Sequence, residues 1–144
     1  MVTQNYANHR RTVPLFHFIL FPLIFLTLIG SFVNLFKTIS SHVGLYSASL
    51  LVVVNLILVL MYIYVRVFPL KAQDRAIRSE ENLRHFVLTG KLLDSRLTVL
   101  QIVALRFAPD EEFVALAAKA ADDNLTPDQI KKSIKNWRGD YYRV

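Results

Sequence analysis

Two uncharged apolar runs, residues 13–36 and 43–65, constrain this chain more than anything else in it. The first has 24 residues and the second 23. As helices they would be roughly 36 and 34 Å long, at about 1.5 Å per residue, against a hydrocarbon core of about 30 Å. A helix lying on a soluble core shows a polar stripe at a period of about 3.6 residues. Neither run has one, and residues 50–60 are apolar on every face except at Asn55. The runs predict two transmembrane helices in an all-α membrane protein. A cleaved signal peptide, with Arg10 and Arg11 as its basic head, is the competing reading of the first run. That stretch is too long for a signal, and Gly30-Ser31 leads into Phe32 without a small-x-small cleavage site, so it is expected to remain as an anchor.

Charge divides the chain into two materials. All 11 acidic residues lie between Asp74 and Asp140, so the net charge of +6 describes neither half. Orientation follows from the basic residues at the span ends. Arg10 and Arg11 precede the first span, and Arg66, Lys71, Arg75 and Arg78 follow the second, whereas the connecting loop holds only Lys37. Six against one predicts both termini in the cytoplasm of a multi-pass inner-membrane protein. The expected division is a cytoplasmic segment at 1–12, a transmembrane hairpin at 13–68 and a cytoplasmic helical domain at 69–144.

Polar side chains inside a span are costly and therefore informative. His17 is about one turn from the cytoplasmic end, where it can snorkel, and Asn34 is near the outer end. Asn55 lies near the middle of the second span. Its amide seeks a partner, either Thr27 on the first helix or Asn55 of a second copy, which makes both residues candidates for helix packing or an oligomer contact. Pro22 and Gly30 are candidate kinks, and Ser47-Ala48-Ser49 offers a small-residue surface.

From residue 71 the composition is that of an ordinary helical domain, with 13 basic and 11 acidic residues. About four helices are expected. Pro69 is expected to end or kink the second span, and a polar helix to run over 72–88 with Thr89-Gly90 as its stop. A helix over about 92–107 would carry Leu93, Leu97, Leu100, Ala104 and Phe107 on one face. Pro109 opens another, with Asp110, Glu111 and Glu112 at its N-terminus and Phe113, Leu116, Ala117, Ala120 and Ala121 as its apolar face. Asp122-Asp123-Asn124 breaks it. For the last helix, Thr126 is the N-cap, Pro127 the first position and Gln129 the third member of a capping box. Ile130, Ile134 and Trp137 then form a stripe beside Lys131, Lys132, Lys135 and Arg138.

Catalytic chemistry is not expected. With no cysteine there is no disulfide, thiolate zinc site or thiol nucleophile. His9, His17, His42 and His85 are scattered with no i, i+4 pair, and four glycines form no phosphate-cradling run. No nucleophile-elbow pattern is present. Glu80-Glu81 and Glu111-Glu112 read as solvated faces or helix-dipole partners. No enzyme, cofactor or metal is predicted. The basic C-terminus supports three readings: docking of Ile130, Ile134 and Trp137 onto the core, contact with anionic lipid head groups at about 1 kcal/mol per charge or with a partner protein, and, least favoured, nucleic-acid binding. In each, Trp137, Tyr141 and Tyr142 form a recognition edge with Lys131, Lys132, Lys135 and Arg138.

The opening Gln4-Asn5-Tyr6-Ala7-Asn8-His9, the two spans and the ending over residues 125–138, LTPDQIKxxIKNWR, resemble an uncharacterised family of small two-span bacterial inner-membrane proteins. The likeness covers nearly the whole chain and implies a protein of about 140 residues with no established activity and no catalytic residues. Both motifs fall on the predicted cytoplasmic side, where they could meet. The resulting expectation is a non-enzymatic accessory or scaffold protein, with a lipid bilayer and a protein partner or second copy as its contacts. The alternatives are an oligomeric channel or permease-like component lined by Asn55, Thr27 and His17, and an anchored nucleic-acid binder.

Overall fold

The computed structural model describes residues 4–142, among which there are five α-helices, one π-helical turn and no strand. Two stretches, Leu15–Ile39 and Leu45–Thr89, are long and apolar enough to cross a membrane, with mean hydropathy of 2.3 and 2.5 over their most apolar windows. The chain divides into two compact units, one from Thr12 to Phe68 and the other made of the described residues on either side of it.

In the first unit a π-helical turn, Leu15–Leu20, leads into α1 (Phe21–Ile39). Pro22 accounts for the change. Its ring crowds the carbonyl four residues back, and it brings no N–H. The wider turn has Phe21 N–H donating to Phe16 O, five residues back. The α ladder then restarts with Pro22 in its first turn, where an N–H is not required. The expected kink at Pro22 is thus a π turn, while Gly30 lies inside uninterrupted helix. Tyr62 supports the turn: its ring stacks on Phe16 at 4.3 Å, and its hydroxyl donates to Phe16 O at 3.4 Å.

His42 (φ 55°) and Gly44 (φ 76°) turn the chain into α2 (Leu45–Thr89). Left-handed backbone is inexpensive only for glycine, which explains Gly44 at the larger angle. Most covered positions of the two long helices in this unit follow one rule. On α1 they include Ile24, Leu28, Ser31, Leu35 and Thr38, and on α2 Leu45, Ala48, Val52, Asn55, Val59 and Tyr62. Both sets step by alternating threes and fours, the spacing at which one face of a helix meets a neighbour along a narrow seam.

Pro69 does not end α2. The helix runs for 45 residues with Pro69 inside it, so the expected separate helix over 72–88 is the continuation of the helix that carries the second apolar run. Proline removes one hydrogen bond from the ladder, and the residues that follow, Leu70, Lys71, Ala72 and Gln73, are strong helix formers that carry it on. The stop at Thr89-Gly90 is as expected: Gly90 takes φ 72°, and its N–H donates to Phe86 O at 2.7 Å.

The other unit adds α3 (Val99–Leu105), α4 (Asp110–Asp122) and α5 (Pro127–Ser133). The single helix expected over 92–107 is corrected to a loop and a short helix. Asp94 Oδ1 accepts from Arg96 N–H at 2.8 Å, closing an Asx turn. Thr98 then caps α3 in a reciprocal box with Gln101. Leu93, Leu97, Ala104 and Phe107 are buried from both loop and helix, while Leu100 is exposed. α4 begins and ends where predicted, and all five of its predicted apolar residues are buried. α5 has the predicted Thr126–Gln129 box but stops at Ser133, because Ile134 is already extended. Trp137 therefore reaches the core from extended chain, not along a helical stripe. Phe107, Phe113, Leu105 and Ile130 are the large, fully buried side chains of this core.

Candidate functional site

The two end motifs meet in the second unit. Residues 5–8 form a tight turn held by reciprocal side-chain bonds: Asn5 Oδ1 accepts from Ala7 N–H (2.9 Å) and Asn8 N–H (3.2 Å), and Asn8 Oδ1 accepts from Asn5 N–H (2.6 Å). The turn projects Tyr6 and His9 onto the C-terminal motif. Tyr6 hydroxyl donates to Asp128 Oδ1 at 2.5 Å, across 122 residues of sequence. Lys132 Nζ donates to Asp128 Oδ2 at 2.7 Å and lies 5.3 Å from the centre of the Tyr6 ring. Lys132 first, and Tyr6 second, hold the Asp128 carboxyl below its ordinary range, while Asp128 raises Lys132 in turn.

His9 is surrounded by aromatic rings, with Tyr6, Trp137 and Phe107 at centroid distances of 5.8, 5.7 and 6.0 Å. Its Nδ1 is 2.6 Å from Tyr6 O and its Nε2 is 3.2 Å from Lys131 Nζ. A carbonyl on one side and an ammonium on the other select the tautomer with the proton on Nδ1. Phe107 in turn lies against Trp137 at 5.0 Å and beneath the Arg106 guanidinium at 4.6 Å. Arg106 pairs with Asp140 at 3.0 Å, and buried Gln4 accepts from Asp140 N–H at 2.7 Å.

Two further ties fix the chain after α5. The Glu112 carboxylate accepts from Lys135 N–H (2.9 Å), Asn136 N–H (3.0 Å) and the Asn136 amide (3.0 Å). These donors, the Lys135 backbone first, hold Glu112 below the usual carboxylate range. Arg138 N–H donates to Phe107 O at 2.8 Å. Beside this clasp lies a cavity of about 320 Å³ whose lining includes Gln73, Ala76, Glu80, Arg106, Arg138 and Asp140.

The predicted residues divide by environment. Trp137 packs against the core, and Lys131 is half-buried against His9. Lys132, Lys135, Arg138, Tyr141 and Tyr142 are exposed, and Arg11 donates to Tyr141 O at 3.3 Å. Of the orientation residues, Arg10, Lys71, Arg75 and Arg78 are exposed and Arg66 is half-buried. Asn55 is buried in the seam of the other unit and donates to Leu51 O of its own helix at 2.8 Å, whereas Thr27 is exposed and bonds Leu23 O and Ile24 O. No bond joins Asn55 to Thr27 among the described residues. Sequence reasoning missed Gln4, Tyr6, His9, Phe107, Glu112, Asp128 and Asp140 as one constellation. Their signal was the pairing of an aromatic-histidine turn at one end with an aromatic, acidic and basic stretch at the other. Among the described residues no group of three or more histidine or carboxylate side chains could hold a metal ion.

No curated protein and no solved structure matches the chain. A profile described as "Family of unknown function (DUF6526)" matches residues 1–144, so the chain that closes its two end motifs on each other belongs to that family.

Proposed function

We propose that this chain is a non-enzymatic accessory or scaffold protein of a bacterial inner membrane, anchored by its helical hairpin and presenting a cytoplasmic helical domain to a partner protein. The observation that carries the reading is how little of the apolar helices is covered. Only 6% and 17% of their most apolar windows are buried. A core helix of a soluble protein would be mostly buried, and uncovered apolar surface on this scale suits hydrocarbon far better than water. The excess of Arg10, Arg11, Arg66, Lys71, Arg75 and Arg78 over Lys37 supports a cytoplasmic location for both termini. The clasp supports the presenting role: Trp137 and Lys131 are held, while Lys132, Lys135, Arg138 and Tyr141 remain exposed beside them as a polar and aromatic edge.

The test is extraction followed by native mass spectrometry. The tagged chain, at near-native expression, is expected to stay in the membrane pellet through alkaline carbonate and to emerge from mild detergent with other subunits attached. Lys132→Glu with Arg138→Glu is expected to strip those subunits without releasing the chain from the membrane. Release by carbonate would end the anchor reading, and a monomer with no reproducible companion would end the scaffold reading.

A further inference from the structure

We infer that the chain forms a parallel homodimer through the exposed side of α2 in its charged half. Ala72, Ala76, Ser79, Leu83 and Phe86 follow one another at steps of four, three, four and three residues, the spacing of a coiled-coil seam. All five are exposed, Leu83 at 63%, and Val87 beside them at 74%. The opposite side of this segment already packs within its own unit. Ile77 and Glu81 are buried there, and Arg84 binds Glu81, Asp110 and the Ala108 carbonyl. Coverage of the exposed stripe would strand no donor at its one polar position, because Ser79 Oγ already donates to Arg75 O at 3.2 Å.

Charge selects a second copy as the occupant. Arg75 flanks the stripe on one side and Glu80, at the rim of the cavity that Arg106 and Arg138 also line, on the other, and neither has an ion-pair partner among the described residues. They are five positions apart, which on one helix points them in different directions. In a parallel pair of identical helices this is the step that brings a flanking residue of one helix to the opposite flank of the other. Arg75 of each copy then meets Glu80 of the other, twice by symmetry. An antiparallel pair would oppose arginine to arginine and glutamate to glutamate. Two copies held by the same hairpin in one bilayer point the same way, so the parallel arrangement rests on the membrane reading above.

The absence of cysteine makes the test direct. Ser79→Cys, Leu83→Cys and Arg78→Cys, the last exposed but off the stripe, are oxidised in native membranes, and covalent dimer is read on a non-reducing gel. Positions 79 and 83 are expected to cross-link several-fold more than 78. Equal cross-linking at all three, none at 79 and 83, or an adduct with a different protein in place of the dimer each overturns the inference. Arg75→Glu or Glu80→Arg in the Leu83→Cys chain is expected to lower the cross-link, and the double exchange to restore it. Failure to restore overturns the parallel register. If the chain is released by carbonate and position 83 still cross-links, the anchor reading fails while the dimer stands.

Discussion

The unit from Thr12 to Phe68 and the unit built around α3 to α5 are both helical, yet they treat apolar side chains in opposite ways. In the first, Phe18, Leu23, Leu26, Phe36 and Leu60 are among many large apolar residues left exposed, and full burial is confined to Ser31, Ala48, Val52 and Asn55. In the second, Phe107, Phe113, Leu105 and Ile130 are enclosed almost completely. Small residues serve both, but differently. Ala48 and Ser31 let two helices approach along the seam, as in helix pairs that lack a hydrophobic driving force. Ala104, Ala117 and Ala120 let short helices close around large rings. The contrast is that of apolar helices left largely uncovered and a small core closed on itself.

The sharpest way to break this contrast is to truncate one phenylalanine in each unit. Phe113→Ala, at a site with no exposure, should cost about 3–5 kcal/mol and make α3 to α5 sensitive to protease in the full-length protein. Phe36→Ala, 67% exposed, should leave thermal unfolding in detergent nearly unchanged. Equal effects would mean that the two units do not differ in kind. Next in size is Ala48→Leu, which overfills the seam at a position 1% exposed. A loss of about 1–3 kcal/mol is expected, read as a lower unfolding midpoint of the hairpin in detergent, and an unchanged midpoint would refute close packing there. Thr126→Ala removes one capping bond of α5 and should cost about 0.5–2 kcal/mol. It should be detectable as faster amide exchange over residues 127–133, with residues 21–39 unaffected.

The smallest effect is on pH dependence and belongs to the unit built around α3 to α5. Glu112 and Asp128 titrate below their ordinary values in the folded chain. A carboxylate depressed in this way contributes stability above its unfolded pKa and loses it as pH falls through the folded one. Between about pH 5 and about pH 3, bracketing the usual carboxylate range, amide protection at Lys135 and Asn136 should fall before that at Phe113. Protection that stays level across this interval would remove Glu112 as the tie.

Much of the second unit was legible because its signals are local. Thr126, Pro127 and Gln129 mark a helix start within four residues, and the apolar positions of α4 repeat at helical spacing. Thr98 and Gln101 carry the same signal two helices earlier, but it lies inside an apolar stretch whose spacing resembles one long helix. Pro69 is expected to end or kink the helix because proline usually does one or the other, and only the helix formers after it reveal a ladder strong enough to continue. The seam in the first unit was hidden for another reason. When every face of a helix is apolar, periodicity no longer tells which face has a neighbour. The clasp was out of reach of spacing rules altogether, since Tyr6 and Asp128 are remote in sequence and only a fold brings them together.

That remoteness has a consequence for biosynthesis. Residues 4–9 are synthesised long before the residues they bind, because their binding site is not complete until Trp137 and Asp140 have been made. At about 5–20 residues per second, the opening turn waits on the order of ten seconds, while the whole hairpin is translated in between. A nascent chain that stalls before α5 therefore leaves Tyr6 and His9 without Asp128, Lys131 and Trp137, the side chains that hold them.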